Sequence, residues 1–372
     1  MVSLPRFTLL KNMRISLLII LIILSSCNIN NKELLELPIN IISSDTVLIN
    51  TKQVIFNNSN FILDKNSEFL TIQDDRKILI LNFKDMKILE NLDLNTLQFA
   101  LPEVNLKGVN YDPETKNIHL FFPDKSKVIV LNSQRDKYQE IELSGLEDEE
   151  HEFFNYQESF YYLSEQMSYV TGIRSKFRNT DIRKYINTSS FVGVFNAIDG
   201  RLQNVMGGFP QERKKEPIDV LSRGLFRFNI KGNKIFIRQS LGSPLIEIFD
   251  TNGNLIKYSK IYSSALDYKL YEYQGGEIGS SKIGDSYLSL IPIDDQFIAS
   301  MAVKYRDENM DINEDHGFLL IEDSKNNIIY SKEIYPYQKL IHADNESLYF
   351  IRVHPNIDEL ILIKQKYTLQ NS

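Results

Sequence analysis

Residues 245–256 of the chain read LIEIFDTNGNLI, which is the pattern of a β-hairpin. An apolar, β-branched run ends at Asp250, and a second extended run begins at Leu255. The pair Asn252-Gly253 lies between them and favours a type I′ turn, because both central residues of that turn need a positive φ. The stretch therefore predicts two antiparallel strands joined by a tight turn.

The same hairpin pattern recurs along the chain. In each copy an apolar residue precedes an Asn, Asp or Glu, and an apolar residue returns six positions after that polar one. A shared unit of about fifty residues with insertions of different length is typical of radial β repeats. The polar positions, at intervals of 50 to 72 residues, are Asn82, Asn132, Asn196, Asp250 and Glu322.

Two regions show what surrounds each hairpin. Residues 109–143 contain four short extended runs (VNY, NIHLFF, KVIVLN and YQEIEL), and residues 225–262 repeat that order as LFRFNI, KIFIRQ, LIEIFD and LIKYSKIY. Turn-forming residues separate the runs, and no amphipathic helix of more than about two turns fits between them. Each region is therefore predicted to form a four-stranded antiparallel meander.

Four less regular copies bring the predicted total to six units. They span residues 69–94, 153–206, 287–335 and 340–369. Residues 41–63 are left over, and their extended runs at 46–49 and 54–56 are expected to pair with the last unit and close a ring. A seventh unit is the alternative to six.

The first part of the chain has the pattern of a lipoprotein signal. Arg14 precedes an apolar run over residues 15–24, which at about ten residues is too short to span a bilayer. A cationic flank and a short apolar core are typical of signal peptides. Residues 24–27 (LSSC) then resemble the bacterial lipobox, in which the cysteine is acylated, and Cys27 is the single cysteine of the chain. An uncleaved anchor or a buried thiol is the alternative interpretation.

These features predict three segments. Residues 1–26 form a lipoprotein signal peptide, whose true start is Met13 if residues 1–12 are not translated. Residues 27–39 form a lipidated tether, and residues 40–372 form a single propeller domain. Asn28 after the cysteine resembles the sorting pattern that favours the outer membrane over the inner one. The predicted location is therefore the cell envelope, lipid-anchored at the outer membrane and facing either the periplasm or the surface.

Together these motifs resemble a known group of proteins. Units that end in hairpins such as IFDTNGNLI are similar to six-bladed β-propellers of the NHL or TolB-like kind. The lipobox, the tether and the stretch FVGVFNAIDG at 191–200, with MGGFP at 206–210, resemble propeller-like lipoproteins of Bacteroides-type bacteria, those of domain of unknown function 4221. The resemblance covers about residues 40–370 and implies an all-β, six-bladed propeller. A pair of β-sandwiches is the rival fold, which six similar meanders fit poorly.

The composition is that of a globular protein without affinity for nucleic acid. Of the 372 residues 42% are apolar and 24% are charged, and there are 22 Phe and 19 Tyr but no Trp. Loss of Arg6, Lys11 and Arg14 with the signal peptide takes the formal net charge from −7 to about −10. An acidic surface of this kind disfavours a nucleic acid partner. A monomer that meets the membrane through its lipid is expected.

No motif for a catalytic or cofactor site is present. The chain lacks a G-x-S-x-G elbow, a phosphate-binding loop and a dinucleotide fingerprint, so no cofactor is expected. Its five histidines form no short-range ligand pair. His119 is interpreted as a buried strand residue. His316 and His342 lie at predicted blade edges, where propeller sites often are, and are weak binding candidates.

One acidic segment invites comparison with a calcium loop. Oxygen-bearing side chains alternate from Asp307 to Asp315, and an EF-hand template that starts at Asp311 would reach Glu322 at its twelfth position. That template needs Gly at its sixth position, where this chain has His316, and Glu322 is already explained by the hairpin repeat. A solvated acidic insertion is therefore favoured over a metal site.

A basic insertion in the third unit is the other weak binding candidate. Arg174, Arg178 and Arg183 are interleaved with aromatic residues in an otherwise acidic protein. Such a cluster would suit an anionic glycan, a phosphate or a partner protein. A solvated loop is the plainer interpretation.

Two functions follow from these features. The first is a lipid-anchored propeller of the cell envelope that binds a partner protein or an extracellular ligand without catalysis. The second is a propeller-type hydrolase or lyase that acts on glycans or lactones. His and carboxylate side chains converging on one mouth of the channel would favour the enzyme, and an apolar or aromatic mouth without them would favour binding. A purely structural scaffold is the third reading.

Overall fold

The protein is almost entirely β-structure. The computed structural model describes residues 35–49, 60–74, 76–102, 105–154, 160–179, 181–209, 226–239, 245–261, 263, 271–274, 280–283, 286–303, 317–323, 328–334, 338–353 and 360–369. Within these ranges the backbone forms 28 strands, a few 3-10 turns and one short α-helix, α1 (Ile182–Thr188). No helix in the described ranges is both long and apolar enough to cross a membrane.

The strands follow one another along the chain with short connections inside each unit. The first two units contain β2 (Asn60–Leu63), β3 (Phe69–Asp74), β4 (Lys77–Asn82), β5 (Ile88–Asp93), β6 (Gly108–Tyr111), β7 (Ile118–Phe122), β8 (Lys127–Leu131) and β9 (Tyr138–Glu142). The next two contain β10 (His151–Phe153), β11 (Phe160–Leu163), β12 (Ser168–Ser175), β13 (Val192–Asn196), β14 (Leu202–Met206), β15 (Phe226–Lys231), β16 (Lys234–Gln239), β17 (Leu245–Asp250) and β18 (Leu255–Lys260). The remainder are β1 (Leu35–Ile49), β19 (Tyr271–Gln274), β20 (Ser280–Ile283), β21 (Ser286–Tyr287), β22 (Ile291–Pro292), β23 (Phe297–Val303), β24 (Gly317–Asp323), β25 (Ile328–Ile334), β26 (Lys339–Ala343), β27 (Ser347–Val353) and β28 (Leu360–Leu369).

Four separate antiparallel sheets form the first four blades of a propeller arrangement. They are β2 to β5, β6 to β9, β10 to β14 and β15 to β18, each paired in chain order except that both β10 and β11 pair with β12. The meanders predicted at 109–143 and 225–262 are thereby confirmed, and the rival pair of β-sandwiches is excluded. A two-stranded ribbon, β19 with β20, stands apart from these sheets.

The last two predicted units do not form separate sheets. Their strands belong to one nine-stranded sheet, in which β22 also pairs with β23, in the order β21-β23-β24-β25-β1-β28-β27-β26. The cause is β1, which has 15 residues and lies between β25 and β28. A strand of that length exceeds the five or six residues of an ordinary strand, so it links the outer edges of both units.

The strand β1 also closes the ring of sheets. It pairs antiparallel with β28 from Ile39 opposite Leu369 to Ile49 opposite Leu360. The predicted pairing of residues 46–49 with the last unit is thereby confirmed, and residues 54–56 lie outside the described ranges. Pairing of the first strand with the last removes the unpaired edge that an open ring would leave.

The repeated polar residue of the hairpins has a physical role. Asn82, Asn132, Asn196 and Asp250 each follow the third strand of a blade, and the side-chain Oδ1 of each accepts hydrogen bonds from backbone N–H groups two to five residues further on. A short side chain that accepts from the following backbone stabilises a turn. In the opening hairpin only Gly253 has a positive φ, +86°. Its turn is therefore capped by Asp250 and is not the type I′ turn predicted from Asn252-Gly253.

A second repeat lies in the turn after the first strand of a unit. The Oδ1 atoms of Asp112, Asp294 and Asp344 each accept a hydrogen bond from the backbone N–H two residues later, and those of Asp294 and Asp344 also accept from the next one. Asp64 Oδ1 accepts from the backbone N–H groups four and five residues later. This is the same kind of aspartate turn, at the same end of the sheet but between its first and second strands. It marks the units independently of the hairpin repeat.

Apolar cores lie between successive sheets. The rings of Phe121 and Phe160, from the second and third blades, are 5.0 Å apart, and those of Phe191 and Phe226, from the third and fourth, are 4.8 Å apart. Similar clusters join the first blade to the second and the first to the last strands of the chain. Each fully buried Phe contributes about 1.5–3 kcal/mol to stability, so packing between neighbouring sheets holds the ring together.

The hairpin of a blade also packs on the outer strand of the blade before it. Arg135 in the second hairpin binds Glu90 on β5 through contacts of 2.7 and 2.5 Å. Asn204 on β14 donates to the carbonyl oxygen of Asn252 at 2.6 Å. The hairpin repeat therefore joins neighbouring blades as well as reversing the direction of the chain.

Candidate functional site

The first or second strand of each unit lies at the centre of the ring. β11 contacts β6, β6 contacts β2, β2 contacts β26, β26 contacts β22, and β22 contacts β15. β15 and β11 then meet through Phe228 and Tyr161, whose ring centres are 5.7 Å apart. These six strands, called the inner strands below, enclose a central channel.

The inner strands run in one direction, so the channel has two different ends. Where they begin, Arg227 Nε donates to the carbonyl oxygen of Leu288 at 3.2 Å. Where they finish, Lys231 Nζ donates to the carbonyl oxygens of Pro292 and Ile293 at 3.2 and 2.5 Å. The end where the inner strands begin is called the mouth end. The other is called the hairpin end, because the third strand of a unit also finishes there and the repeated hairpin follows it.

A cavity of about 310 Å³ lies in the channel. Its walls come from β2, β11, β15, β26 and the segment around β22. Six of its lining side chains carry the chemistry, namely Phe61, Tyr161, Arg227, Asn229, Ser289 and Lys339. Small-molecule sites range from about 300 to 1,000 Å³, so the cavity is at the small end of that class.

One wall of the channel is a polar face of β15. Along this strand Phe226, Phe228 and Ile230 are buried, and Arg227, Asn229 and Lys231 alternate with them as partly exposed residues. Alternation places the apolar set on one face of the sheet, where it packs against the third blade, and the polar set on the other. The polar face presents a cation, an amide and a second cation in sequence along the channel.

The opposite wall adds a third cation and an aromatic ring. Lys339 is exposed at the beginning of β26, and its Nζ lies 5.2 Å from the ring centre of Phe61 on β2. That distance is within the range of a cation–π contact, which orients the ammonium group. Ser289 is fixed by its Oγ, which accepts from the backbone N–H of Met301 at 2.9 Å.

The described lining residues include no carboxylate and no histidine. The cations among them are Arg227 and Lys339. The described ranges also contain no group of three or more His, Cys, Asp or Glu side chains that could hold a metal ion. The described walls are consistent with a binding function.

The basic insertion predicted as a binding candidate lies away from the channel residues. Arg174 Nε binds Glu152 at 2.7 Å, and Lys184 Nζ binds Glu150 at 2.6 Å. Its other two arginines, Arg178 and Arg183, have side chains outside the described part of the structure. Arg174 and Lys184 are thus paired with acidic residues of the same chain, and Lys176 Nζ donates to the carbonyl oxygen of Glu147 at 3.4 Å.

Other predicted residues are also distributed over the molecule. Glu322 is fully buried within β24, and its carboxylate accepts from Arg238 Nη2 at 2.7 Å. The hairpin repeat predicted Glu322 as a turn residue, but it lies within the strand pair opposite Ile329 and forms an ion pair with Arg238 of the fourth blade. Cys27, His316 and the acidic segment 307–315 lie outside the described ranges.

His342 lies at the hairpin end of the inner strand β26. Its Nδ1 is 3.4 Å from Ser67 Oγ, and its ring contacts those of Phe83 and Tyr349. Burial, with a further contribution from the Lys231 ammonium, lowers the pKa of His342 to about 4. The ring is therefore neutral at physiological pH, and it adds no charge to the channel.

Replacing His342 with glutamine should make stability less sensitive to acid. The folded pKa of about 4 is below the unfolded value of 6.5, so the unfolded chain takes up the proton first as the pH falls. The stability contributed by the neutral ring is present above pH 6.5 and is lost as the pH falls towards 4, by about 3 kcal/mol. Urea unfolding at pH 7.5 and 4.5 measures the difference. His119→Gln should show the same reduced sensitivity, because burial also lowers the pKa of His119 to about 4. An unchanged pH dependence in His342→Gln would contradict the argument.

The residues that line the channel were not predicted from the sequence. The signal that could have found them is the polar set Arg227, Asn229 and Lys231 inside a first strand. Polar residues at alternate positions usually face solvent, and only the ring arrangement turns this face towards a channel. The first strand of the first unit, β2, was also missed because residues 41–63 were treated as one leftover segment.

Comparisons with known proteins agree with this fold. No family model matches the sequence, and no curated protein matches it. The crystal structure of a member of the duf4221 family from Bacteroides vulgatus is similar over 90% of this chain and 98% of that chain, with a TM-score of 0.63 and 10% identity. A Bacteroides fragilis protein that bears an exported-protein name covers 89% of this chain and 99% of its own, with a TM-score of 0.47 and 10% identity. At this identity the first likeness supports the predicted resemblance at the level of the fold.

Proposed function

We propose that the chain is a lipid-anchored propeller of the cell envelope that binds a small extracellular ligand at the mouth of its central channel. The observation that carries the proposal is the cavity between the inner strands, whose described walls are cationic, polar and aromatic. Ligand sites combine an apolar surface with a few polar groups that fix orientation, and this cavity has both. The hydrolase or lyase reading would need an acid and a base within reach of a substrate. Among the described lining residues, Tyr161 and Lys339 are of a type that can transfer protons, and no carboxylate or histidine accompanies them.

The propeller is proposed to have six blades. Six inner strands contact one another around the channel. On this view the nine-stranded sheet consists of two blades, β21 to β25 and β26 to β28 with β1, whose outer strands are joined because β1 continues past β28. The aspartate turns at 64, 112, 294 and 344 support the same division of the chain.

The membrane anchor is proposed to be a lipid on Cys27, most simply in the outer membrane. Support comes from the apolar run at 15–24 and the LSSC motif that ends at the single cysteine. Cys27→Ala should move the protein from the membrane fraction to the soluble fraction, because several acyl chains are needed for stable anchoring. Ser25→Ala, which keeps the cysteine and a small residue, is the control. Sedimentation of the Cys27→Ala protein with membranes would contradict lipidation.

The binding proposal is tested by filling the cavity. Ser289→Trp places a large ring in the channel, whereas Ser289→Ala leaves the channel open. A panel of monosaccharides, sugar acids, amino acids and short peptides is screened by thermal unfolding against both variants and the original chain. A ligand of the channel raises the melting temperature of the original chain and of Ser289→Ala, because a ligand that binds only the folded state stabilises it. Hits that shift Ser289→Trp equally, or a panel without hits, would contradict the proposal.

A further inference from the structure

The chain enters the propeller at its hairpin end. The third strand of the last unit, β28, finishes at that end with Leu369, and β1 runs antiparallel to it, with Ile39 opposite Leu369 and Ile49 opposite Leu360. The first residues of β1 therefore lie at the hairpin end, and the strand runs from there towards the mouth end. An anchor that precedes β1 in the chain would hold the propeller by its hairpin end.

The tether between the predicted anchor and β1 is short. Residues 28–34 separate Cys27 from Leu35, the first residue of β1. A chain of that length reaches at most about 28 Å when it is fully extended. The 15 residues of β1 extend about 45 Å from the hairpin end towards the mouth end. A propeller that met a membrane with its mouth end would need a tether about as long as β1, so the tether length favours contact through the hairpin end.

The repeated hairpins place exposed apolar side chains at the same end. In each of the first four blades, large apolar residues within the hairpin or directly after it are exposed, and Ile198 in the third hairpin is 68% exposed. Towards the mouth end, the described ranges expose fewer, namely Val47, Leu48 and Leu288. Single exposed apolar residues are common, but their recurrence at one end of four successive blades makes a surface that can contact a partner. This set is called the apolar rim and consists of Ile88, Leu89, Tyr138, Ile198, Leu255 and Ile256.

Charges of both signs accompany the apolar rim. Each of the first three hairpins has an exposed acid close in sequence to an exposed cation: Asp85 and Lys87, Asp136 and Lys137, and Asp199 and Arg201. A zwitterionic headgroup likewise presents an ammonium group and a phosphate, so a surface of mixed charge meets it without net repulsion. The apolar side chains can then enter the boundary between the headgroups and the acyl chains, as those of interfacial membrane proteins do.

We propose that the propeller contacts a zwitterionic bilayer with its hairpin end, through the apolar rim, and that the mouth of its channel faces away from the membrane. This inference rests on the proposed lipid anchor at Cys27 and adds an orientation to it. A bilayer is the partner that the short tether already holds beside this surface. The cavity at the mouth end would then open to the aqueous side, where a dissolved ligand can reach it.

Single tryptophans test the orientation, because the chain has no Trp of its own. Ile198→Trp and Leu255→Trp place the indole in the apolar rim, and Lys125→Trp places it in the exposed turn after β7, at the mouth end. Each protein is purified from membranes and reconstituted in phosphatidylcholine vesicles with or without bromine on the acyl chains, which quenches nearby tryptophan. The two rim variants should lose roughly half of their emission in brominated vesicles, because interfacial side chains enter the bilayer by about 5–10 Å. Lys125→Trp should keep its emission.

Second substitutions assign the contact to the apolar rim. Leu89→Asp and Ile256→Asp, each added to Ile198→Trp, should weaken the quenching, because a carboxylate is costly to remove from water. Val47→Asp is the matched control, since Val47 is an exposed apolar residue towards the mouth end, and it should leave the quenching unchanged. All three replaced side chains are exposed, and melting temperatures establish that each variant is folded.

Several results would overturn the inference. Stronger quenching of Lys125→Trp than of the rim variants would mean that the mouth end faces the bilayer. Equal quenching at both ends would mean that the propeller has no fixed orientation, and no quenching at either end would mean that it moves freely on its tether. In these cases the lipid anchor itself would stand. A protein that stays in the soluble fraction with Cys27 intact would remove the anchor and the orientation together, and fractionation detects that outcome separately from the quenching.

Discussion

Replacing Arg238 with methionine should lower the free energy of unfolding by about 3–5 kcal/mol, because it leaves the Glu322 carboxylate buried without its cation. Both side chains have 0% exposed area, and two contacts of 2.7 Å join them. Ser300 Oγ lies 3.0 Å from Arg238 Nη1, and the Tyr287 ring lies 3.9 Å from the guanidinium carbon. Water cannot solvate the remaining charged group of such a buried pair once its partner is removed. Chemical denaturation of the purified protein measures the loss.

Two further variants separate the buried charge from the pair itself. Arg238→Met combined with Glu322→Leu should recover much of the stability, since replacing both members of a buried pair with apolar residues is often neutral. Lys127→Met is the exposed comparison, because Lys127 and Glu140 also meet at 2.7 Å but are 34% and 42% exposed. Its cost should be several-fold smaller, because water screens both charges. Equal losses in Arg238→Met and Lys127→Met would contradict the role of burial.

Gly200→Ala should cost about 3–5 kcal/mol of unfolding free energy and loosen the contact between the second and third blades. Gly200 has a φ of +73°, and an added Cβ would overlap the carbonyl oxygen of Glu142. The backbone would have to move, and that movement would break the bonds from Ser144 N–H to the Gly200 oxygen and from Leu202 N–H to the Ser144 oxygen. The estimate adds a strained left-handed residue, an overlap and lost hydrogen bonds.

Gly232→Ala is the matched control for this variant. Gly232 also has a positive φ, +56°, but an added Cβ there meets nothing within 4 Å. Its cost should therefore be limited to the backbone strain, about 1–2 kcal/mol. The difference between the two variants isolates the contact between blades. If both alanines cost the same, the packing of the hairpin on Glu142 does not matter for stability.

The propeller arrangement was predictable because its repeat is local. Asn82, Asn132, Asn196 and Asp250 cap turns by bonding to backbone only a few residues away, so short motifs carry the information. The prediction of a turn residue was wrong at the fifth copy because Glu322 forms an ion pair with Arg238, which lies 84 residues earlier in the chain. No local pattern can report such a partner.

The candidate site was not predictable for the same reason. Arg227, Ser289 and Lys339 come from three separate units, and only closure of the ring brings them to one cavity. The sequence favoured Arg174 instead, because clustered charges are visible in one dimension. The structure shows that this arginine is paired with Glu152.

The pairing of β1 with β28 also sets the order of events during biogenesis. Synthesis delivers the amino-terminal part of the chain first, so β1 emerges well before the strand that covers its edge. Contacts between distant parts of a chain form slowly, and exposed strand edges meanwhile invite pairing with other molecules. Ring closure is thus expected to be the last step of folding, and the interval before it is the period in which the newly made chain depends most on chaperones.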